Sequence, residues 1–237
     1  MYKLAAVYPV LPGKDVRTVA DMLRERPSEY AESRRGAGVQ LERGYEQETP
    51  MGTFFISYIE TERPFPEVAA DIARSDLAID RDFAAAVKEV HGVDITQPLP
   101  GEPPEMLGDW EDETVTARRR GLAFCVPVRP GATDLVRAFC AEAYQTRRDE
   151  FAASRRPIGG NRESVFLNHT PSGDIVAAYI EGNDPVEENR KFAESRSPFD
   201  VWFKEECKRF FPPDVDFNQP LPPITEVFDS QEILVAR

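Results

Sequence analysis

An internal repeat constrains the fold more than any other feature of this sequence. Residues 30–60 align without a gap on residues 151–181, and 12 of the 31 pairs are identical. Two unrelated segments of average composition would share about two identities. The chain of 237 residues is therefore predicted to hold two copies of one unit, residues 1–118 and 119–237. Each copy is long enough for one small hydrophobic core.

Each copy predicts the same order of elements. Apolar runs bounded by Pro and Gly indicate buried strands, and apolar residues at helical spacing follow them. A Thr-Pro-x-Gly turn then marks a hairpin, followed by a second helical region and a last short strand. This βαββαβ order is the ferredoxin-like unit of the α+β class. The predicted strands lie near residues 4–10, 39–47, 53–60 and 105–110 in the first copy and near 122–128, 175–180 and 224–228 in the second.

The second hairpin strand of each copy is apolar on both faces. Residues 54–59 read Phe-Phe-Ile-Ser-Tyr-Ile, and residues 175–180 read Ile-Val-Ala-Ala-Tyr-Ile. A strand covered on one face only would alternate apolar and polar residues. We therefore expect the two sheets to pack face to face about a pseudo-two-fold axis. Such an arrangement predicts a monomer, because the duplication already supplies both halves of the interface.

A duplicated ferredoxin-like unit with an apolar outer sheet face resembles the dimeric α+β-barrel superfamily. The pattern Ser-Arg-Arg … Thr-Pro-x-Gly … Tyr-Ile-Glu … Ser-x-x-x-x-Asp, present in both copies, is also similar to an uncharacterised bacterial family of such domains. The resemblance implies two tandem units that form a pseudo-dimeric α+β barrel. The superfamily includes cofactor-independent monooxygenases of polyketide pathways, haem-degrading and haem-using enzymes, isomerases and plain ligand-binding members. A fold alone does not select among these activities.

Composition excludes several classes of partner. The net charge of −13 argues against sequence-independent binding to nucleic acid, which needs a basic surface. No apolar run approaches the roughly 20 residues of a membrane helix, and the first residues lack the pattern of a signal peptide. We therefore expect a cytoplasmic protein with no membrane partner. The three cysteines have no metal-type spacing, and no cofactor or metal motif occurs, so we expect neither a cofactor nor a metal.

The arginines of the second copy are the predicted ligand-binding residues. Residues 1–118 hold 13 basic and 23 acidic residues, against 16 and 19 in residues 119–237. Arg155, Arg156 and Arg162 lie in the less acidic copy, and a guanidinium group grips carboxylates and phosphates with two hydrogen bonds. Alternatively, such arginines stabilise a helix C-terminus and pair with the repeated Glu42 and Glu163. On the first interpretation an anionic ligand binds within residues 119–237.

Two further residues of the second copy are weaker candidates for catalysis. Tyr179 and its counterpart Tyr58 lie on the central hairpin strand, where the hydroxyl either bonds locally in the core or points into a cavity and orients a substrate. His169 precedes the Thr-Pro turn and is either an exposed turn residue or an acid–base group. In the first copy, His91 ends the second helical region. Stabilisation by the helix dipole explains it, and the alternative is the helical axial histidine of the superfamily's haem-binding members.

Two functions of different classes follow. The first is a cofactor-independent enzyme of monooxygenase, cyclase or isomerase type that acts on an anionic or aromatic metabolite, for instance one of secondary metabolism. The second is a non-catalytic protein that binds a small ligand or has a structural role. An enclosed cavity that contains an ionisable side chain favours the first function.

Overall fold

The computed structural model describes residues 1–97 and 102–235, with side chains as far as residue 233. The chain divides into two compact units. Unit 1 comprises Met1–Glu102 and Thr225–Arg237, and unit 2 comprises Pro103–Ile224. Both are of the α+β class, and each contains one four-stranded sheet. The predicted fold class is confirmed at this level.

Unit 1 contains β-strands and α-helices in the predicted order. Its elements are β1 (Tyr2–Pro9), α1 (Arg17–Glu25), α2 (Pro27–Ala37), β2 (Val39–Thr49), β3 (Gly52–Thr61), α3 (Phe65–Arg74), α4 (Ala78–His91), β8 (Ile224–Asp229) and α9 (Ser230–Val235). Strand β3 pairs antiparallel with both β1 and β2. The sheet order is β1-β3-β2-β8.

Unit 2 repeats this arrangement. Its elements are β4 (Glu105–Glu111), β5 (Arg120–Pro127), α5 (Thr133–Ala141), a π-helical turn (Glu142–Thr146), α6 (Arg148–Arg155), a 3₁₀ turn (Arg156–Ile158), β6 (Gly160–Thr170), β7 (Gly173–Gly182), α7 (Pro185–Glu194) and α8 (Pro198–Cys207). The sheet order is β4-β6-β7-β5, and all three pairs are antiparallel.

The last strand of each sequence repeat belongs to the sheet of the other unit. Strand β4 ends the first repeat but pairs with β6, and β8 ends the second repeat but lies beside β2. Each exchanged strand brings an aromatic side chain into the core that it joins. Trp110 packs edge-on against Phe151 with 5.6 Å between ring centroids, and Phe228 packs against Tyr30 at 5.5 Å. The compact units therefore do not coincide with residues 1–118 and 119–237, whose identity as domains stays a prediction.

Hydrophobic side chains from the helices and the sheet form the core of each unit. The largest cluster lies in unit 2 and is rich in aromatic rings, among them Trp110, Phe139, Phe151, Phe203 and Phe210. The core of unit 1 has fewer rings and more aliphatic residues, including Val16, Leu23, Ile79 and Val90. Each core leaves an internal cavity between the residues of its sheet and helices, and these cavities are the concave sites considered below.

Candidate functional site

The two cavities occupy equivalent places in the two units. The unit 1 cavity measures about 120 Å³ and the unit 2 cavity about 90 Å³. Ser57 on β3 and its counterpart Ala178 on β7 line them from the sheet. A small, largely apolar cavity with a few polar groups is the usual form of a small-molecule site. The polar groups of each cavity therefore decide what it can do.

His91 supplies a basic nitrogen to the unit 1 cavity. It is the last residue of α4, which ends at Gly92 in the left-handed conformation, with φ 71°. The Nδ1 atom of His91 lies 2.9 Å from the carbonyl oxygen of Pro9. Because a carbonyl oxygen only accepts hydrogen bonds, Nδ1 carries the proton and Nε2 holds the lone pair in the neutral ring. Burial lowers the pKa of His91, although the bond to Pro9 opposes this, so the ring favours the neutral, basic form.

The Tyr8 hydroxyl is a second polar group at this cavity. The centroid of the Tyr8 ring lies 5.7 Å from that of the His91 ring. The Phe55 ring stacks on the imidazole, with 5.3 Å between their centroids. Burial raises the pKa of Tyr8 to about 12. The phenol therefore stays protonated at neutral pH and can donate a hydrogen bond. Within the described part of the chain, no residue accepts a hydrogen bond from this hydroxyl.

Arg34 and Arg43 are cations in the lining of the unit 1 cavity, and Arg34 is the one with an unsatisfied donor. Its Nε donates to Glu42 Oε2 at 2.9 Å, and its Nη1 lies 3.2 Å from Asp80 Oδ1. Burial by itself lowers the pKa of Arg34, but Glu42 and the other neighbouring groups raise it above its ordinary value. The remaining nitrogen, Nη2, is buried and has no hydrogen-bond partner among residues 1–97 and 102–235. An unsatisfied buried donor is costly, so Nη2 is suited to an acceptor atom of a bound molecule.

Unit 2 keeps the arginine and loses the other two groups. Arg155 corresponds to Arg34, and its Nε donates to Glu163 Oε2 at 2.8 Å. The positions of Tyr8 and His91 are occupied by Val126 and Phe211, which line the unit 2 cavity. The described lining of the unit 2 cavity therefore has no imidazole, and its phenol, that of Tyr144, donates to Glu163 at 2.6 Å.

The structure brings only two of the predicted site residues to the unit 2 cavity. Arg155 and Arg162 line it. Both are buried and paired with carboxylates, Arg155 with Glu163 and Arg162 with Glu181. The pairing of Arg155 with Glu163 is one of the two alternatives that the sequence leaves open. A role for these arginines in binding an anion stays a prediction.

The other three predicted residues lie away from this cavity lining. The Arg156 side chain is half exposed, and its Nε donates to Asp112 at 2.8 Å. Tyr179 is fully buried, and its hydroxyl donates to Glu181 at 2.8 Å. His169 lies beside the β6–β7 turn, with Nδ1 2.7 Å from Asp174 Oδ1. The geometry does not gather these side chains around one ligand, and their roles also stay predictions.

Sequence reasoning missed several ionisable residues at the cavities, among them Tyr8, Arg43, Tyr144 and Glu188. Tyr8 lies in unit 1, and Glu188 lines the unit 2 cavity from helix α7. Comparison of the repeats position by position would have found the acid, because Glu188 replaces the buried Val68 of the first repeat. The same comparison shows His91 against Phe211. Differences between the repeats therefore locate the ionisable groups better than their shared residues do.

Across the described residues, no group of three or more His, Cys, Asp and Glu side chains is arranged to hold a metal ion. Among the helices described, none combines the length and the apolar character needed to cross a bilayer.

Comparisons with known proteins establish the fold of this chain but not its activity. No protein-family profile and no curated protein matches the chain. A candidate monooxygenase from Lactobacillus acidophilus is similar in structure, with a TM-score of 0.52, 11% identity, and coverage of 97% of this chain and 95% of that one. A candidate monooxygenase from Fusobacterium nucleatum also matches, with a TM-score of 0.47, 10% identity, and coverage of 95% of this chain and 92% of that one. An anthrone oxidase-like protein matches with a TM-score of 0.46, 8% identity and the same coverages. The Lactobacillus protein shows that this chain has an α+β fold of that type.

Proposed function

We propose that this protein is an enzyme that removes a proton from a small aromatic or enolic acid, and that the unit 1 cavity is its active site. His91 Nε2 is the base, and Arg34 Nη2 and the Tyr8 hydroxyl donate hydrogen bonds to the oxygen that becomes negative. The observation that carries the proposal is the hydrogen bond of His91 Nδ1 to Pro9, which leaves Nε2 unprotonated in a residue of the same cavity lining as Arg34, whose buried Nη2 has no hydrogen-bond partner among the described residues.

Proton removal is common to the reactions that the resemblance implies. A monooxygenase, cyclase or isomerase that works without a cofactor needs an electron-rich substrate anion, such as a phenolate or enolate. Donors placed in a dry cavity stabilise such an anion more than water does. The candidate monooxygenase from Lactobacillus acidophilus, similar in fold, is compatible with this class of chemistry.

The size and walls of the cavity favour a single-ring substrate. A volume of about 120 Å³ is close to the roughly 150 Å³ of a cavity that binds benzene. Phe55, Phe83 and Phe228 line the same space and offer ring faces for stacking. We therefore propose a substrate with one aromatic ring or an enol of similar size, with its acidic group directed to His91 and Arg34.

Binding of 4-fluorophenol tests the site, because its ¹⁹F resonance reports both binding and ionisation. We expect the wild-type protein to bind it and to shift its ionisation toward lower pH. His91→Phe, which installs the side chain of the second repeat, should weaken binding at least tenfold and abolish the shift. The control Phe211→Leu changes the equivalent position in unit 2 and should change neither. Equal effects of the two substitutions would contradict the proposal.

Hydrogen exchange separates an enzyme from a non-catalytic binding protein. In D₂O, we expect the wild-type protein to accelerate incorporation of deuterium at C3 of pyruvate, a small enolisable acid. His91→Phe should remove the acceleration, while Phe211→Leu should retain it. Binding of 4-fluorophenol without any exchange of pyruvate would favour the non-catalytic function.

A further inference from the structure

The unit 2 cavity contains a buried carboxyl group whose charge has no opposite partner. Glu188 lies in the first turns of α7, and only 4% of its surface is exposed. The backbone N–H of Asp184 donates to its Oε1 at 3.2 Å, and the N–H of Asn183 also donates to the carboxylate. No Lys, Arg or His in the described part of the chain forms an ion pair with it. Burial raises the pKa of Glu188 because the charged form is poorly solvated.

The second repeat is shaped around this carboxyl group. Gly182, at the end of β7, faces Glu188, and a Cβ atom at that position would overlap both carboxylate oxygens. The first repeat has Thr61 and Val68 at the equivalent positions. The glycine and the acid thus occur together in the second repeat and are both absent from the first. A buried acid costs free energy unless it is paired, so its place at the cavity wall calls for a partner inside the cavity.

The basic groups of this cavity cannot be that partner. Arg155 is held by Glu163 at 2.8 Å and by Asp200 at 3.4 Å. Arg162 is held by Glu181, and its Nε has no hydrogen-bond partner in the described part of the chain. Glu188 is the carboxyl group of this lining that forms no ion pair among the described residues, so a ligand that pairs with it must be positive. This differs from the anion that the sequence predicts for residues 119–237.

Aromatic rings complete the site for a cation. Trp110, Phe210, Phe211 and Phe217 line the same cavity. The face of an aromatic ring attracts an ammonium group, and the attraction is stronger where water is excluded. The cavity of about 90 Å³ is smaller than the roughly 150 Å³ that holds benzene, so it suits a molecule smaller than benzene.

We propose that the unit 2 cavity binds a small protonated amine, whose ammonium group pairs with the Glu188 carboxylate while its apolar part lies against the aromatic rings. This site is separate from the unit 1 cavity and does not depend on the function proposed there. The two units would then bind ligands of opposite character, an acid in unit 1 and an amine in unit 2.

Three compounds of one shape test this assignment. Isobutylamine is positive, isobutanol is neutral and isobutyrate is negative, and each is titrated into ¹⁵N-labelled protein with amide shifts as the readout. We expect isobutylamine to bind at least tenfold more tightly than isobutanol, and isobutyrate not to bind at unit 2. Glu188→Gln keeps an oxygen for the Asp184 and Asn183 N–H groups, so it should fold, and it should remove the preference for the amine.

A matched pair of cavity-filling substitutions locates the binding. Ala178→Leu fills the unit 2 cavity and Ser57→Leu fills the equivalent place in unit 1. We expect only Ala178→Leu to abolish binding of isobutylamine. Tighter binding of isobutyrate than of isobutylamine at unit 2, no binding of isobutylamine, or an unchanged amine affinity in Glu188→Gln would overturn the proposal.

Discussion

The Nδ1 atom of His91 donates a hydrogen bond of 2.9 Å to the carbonyl oxygen of Pro9, and this bond ties the end of helix α4 to the end of strand β1. The same bond fixes the tautomer that leaves Nε2 basic. A structural contact and the proposed chemistry therefore depend on one imidazole ring in its neutral form.

Protonation of His91 should make stability depend on pH. An unfolded histidine has a pKa of about 6.5, and burial lowers the pKa of His91 in the folded protein. Below about pH 6.5 the unfolded state binds a proton at this histidine that the folded state does not bind. The stability contributed by the neutral His91 is therefore fully present above about pH 6.5 and is lost as the pH falls toward the folded pKa. The loss is at most about 1.4 kcal/mol per pH unit. Urea unfolding of the wild type and of His91→Gln between pH 7.5 and 5 measures the difference.

The control for this prediction is His169. It is partly exposed and bonded to Asp174 at the β6–β7 turn, outside the cavities. His169→Gln should therefore retain the loss of stability that His91→Gln removes. The interpretation of His91 would be wrong if its replacement left the pH dependence unchanged.

Arg155 and Arg156 are neighbours in sequence, but their replacement should lower the unfolding free energy of the protein by very different amounts. Arg155 is buried, bonded to Glu163 and covered by the rings of Phe151 and Phe192. Removing one partner of a buried pair leaves the other charge uncompensated, so Arg155→Ala should cost about 3–5 kcal/mol of unfolding free energy. Arg156→Ala removes a half-exposed ion pair and should cost less than about 1 kcal/mol.

Chemical denaturation of both variants measures this difference. If Arg155→Ala unfolds too readily to be purified, Arg155→Lys gives an intermediate value and keeps the comparison. Equal and small losses would contradict the pairing of Arg155. A loss of stability with no change in anion binding would also favour the structural role of Arg155 over the binding role that the sequence predicts.

Local patterns predicted the elements well. The Thr-Pro-x-Gly turns of the two hairpins, at Thr49–Gly52 and Thr170–Gly173, connect β2 to β3 and β6 to β7 as expected. Turn chemistry depends on a few adjacent residues, so a single sequence reveals it. The sheet in which β4 and β8 lie could not be predicted in this way. Either sheet offers such a strand the same backbone pairing, and only packing over long range selects between them.

The site was predicted less well than the fold. Shared arginines drew attention to Arg155 and Arg156, but side-chain direction and pairing decide whether a charge reaches a cavity, and neither is visible in sequence. Tyr8 lies within an apolar strand and has the composition of an ordinary core residue. Glu188 could have been found, because an acid opposite the buried Val68 of the other repeat breaks the apolar pattern.

The exchanged strands predict that two aromatic substitutions act outside their own repeats. Trp110 belongs to residues 1–118 but is buried against Phe151 of unit 2, and Phe228 is buried against Tyr30 of unit 1. Replacement of either ring by Ala should cost about 3–5 kcal/mol. Trp110→Ala should speed amide hydrogen exchange mainly in β6 and β7, and Phe228→Ala mainly in β2 and β3. Faster exchange in the substituted residue's own repeat instead would contradict the observed strand order.

The close approach of Gly182 and Glu188 gives a prediction about coupled substitutions. A methyl group at Gly182 would overlap the Glu188 carboxylate, which would have to leave its bonds to the backbone of Asp184 and Asn183. Gly182→Ala should therefore cost about 1–3 kcal/mol, the usual range for overpacking.

Glu188→Val copies Val68 of the first repeat and removes the overlap. The double variant should then be more stable than additivity predicts, because Glu188→Val removes the carboxylate that the methyl group of Gly182→Ala would overlap. A double-mutant cycle from urea unfolding measures this coupling. Additive free energies would show that the carboxyl group moves away from Gly182 at no cost, and that its place beside the cavity is not held by the glycine.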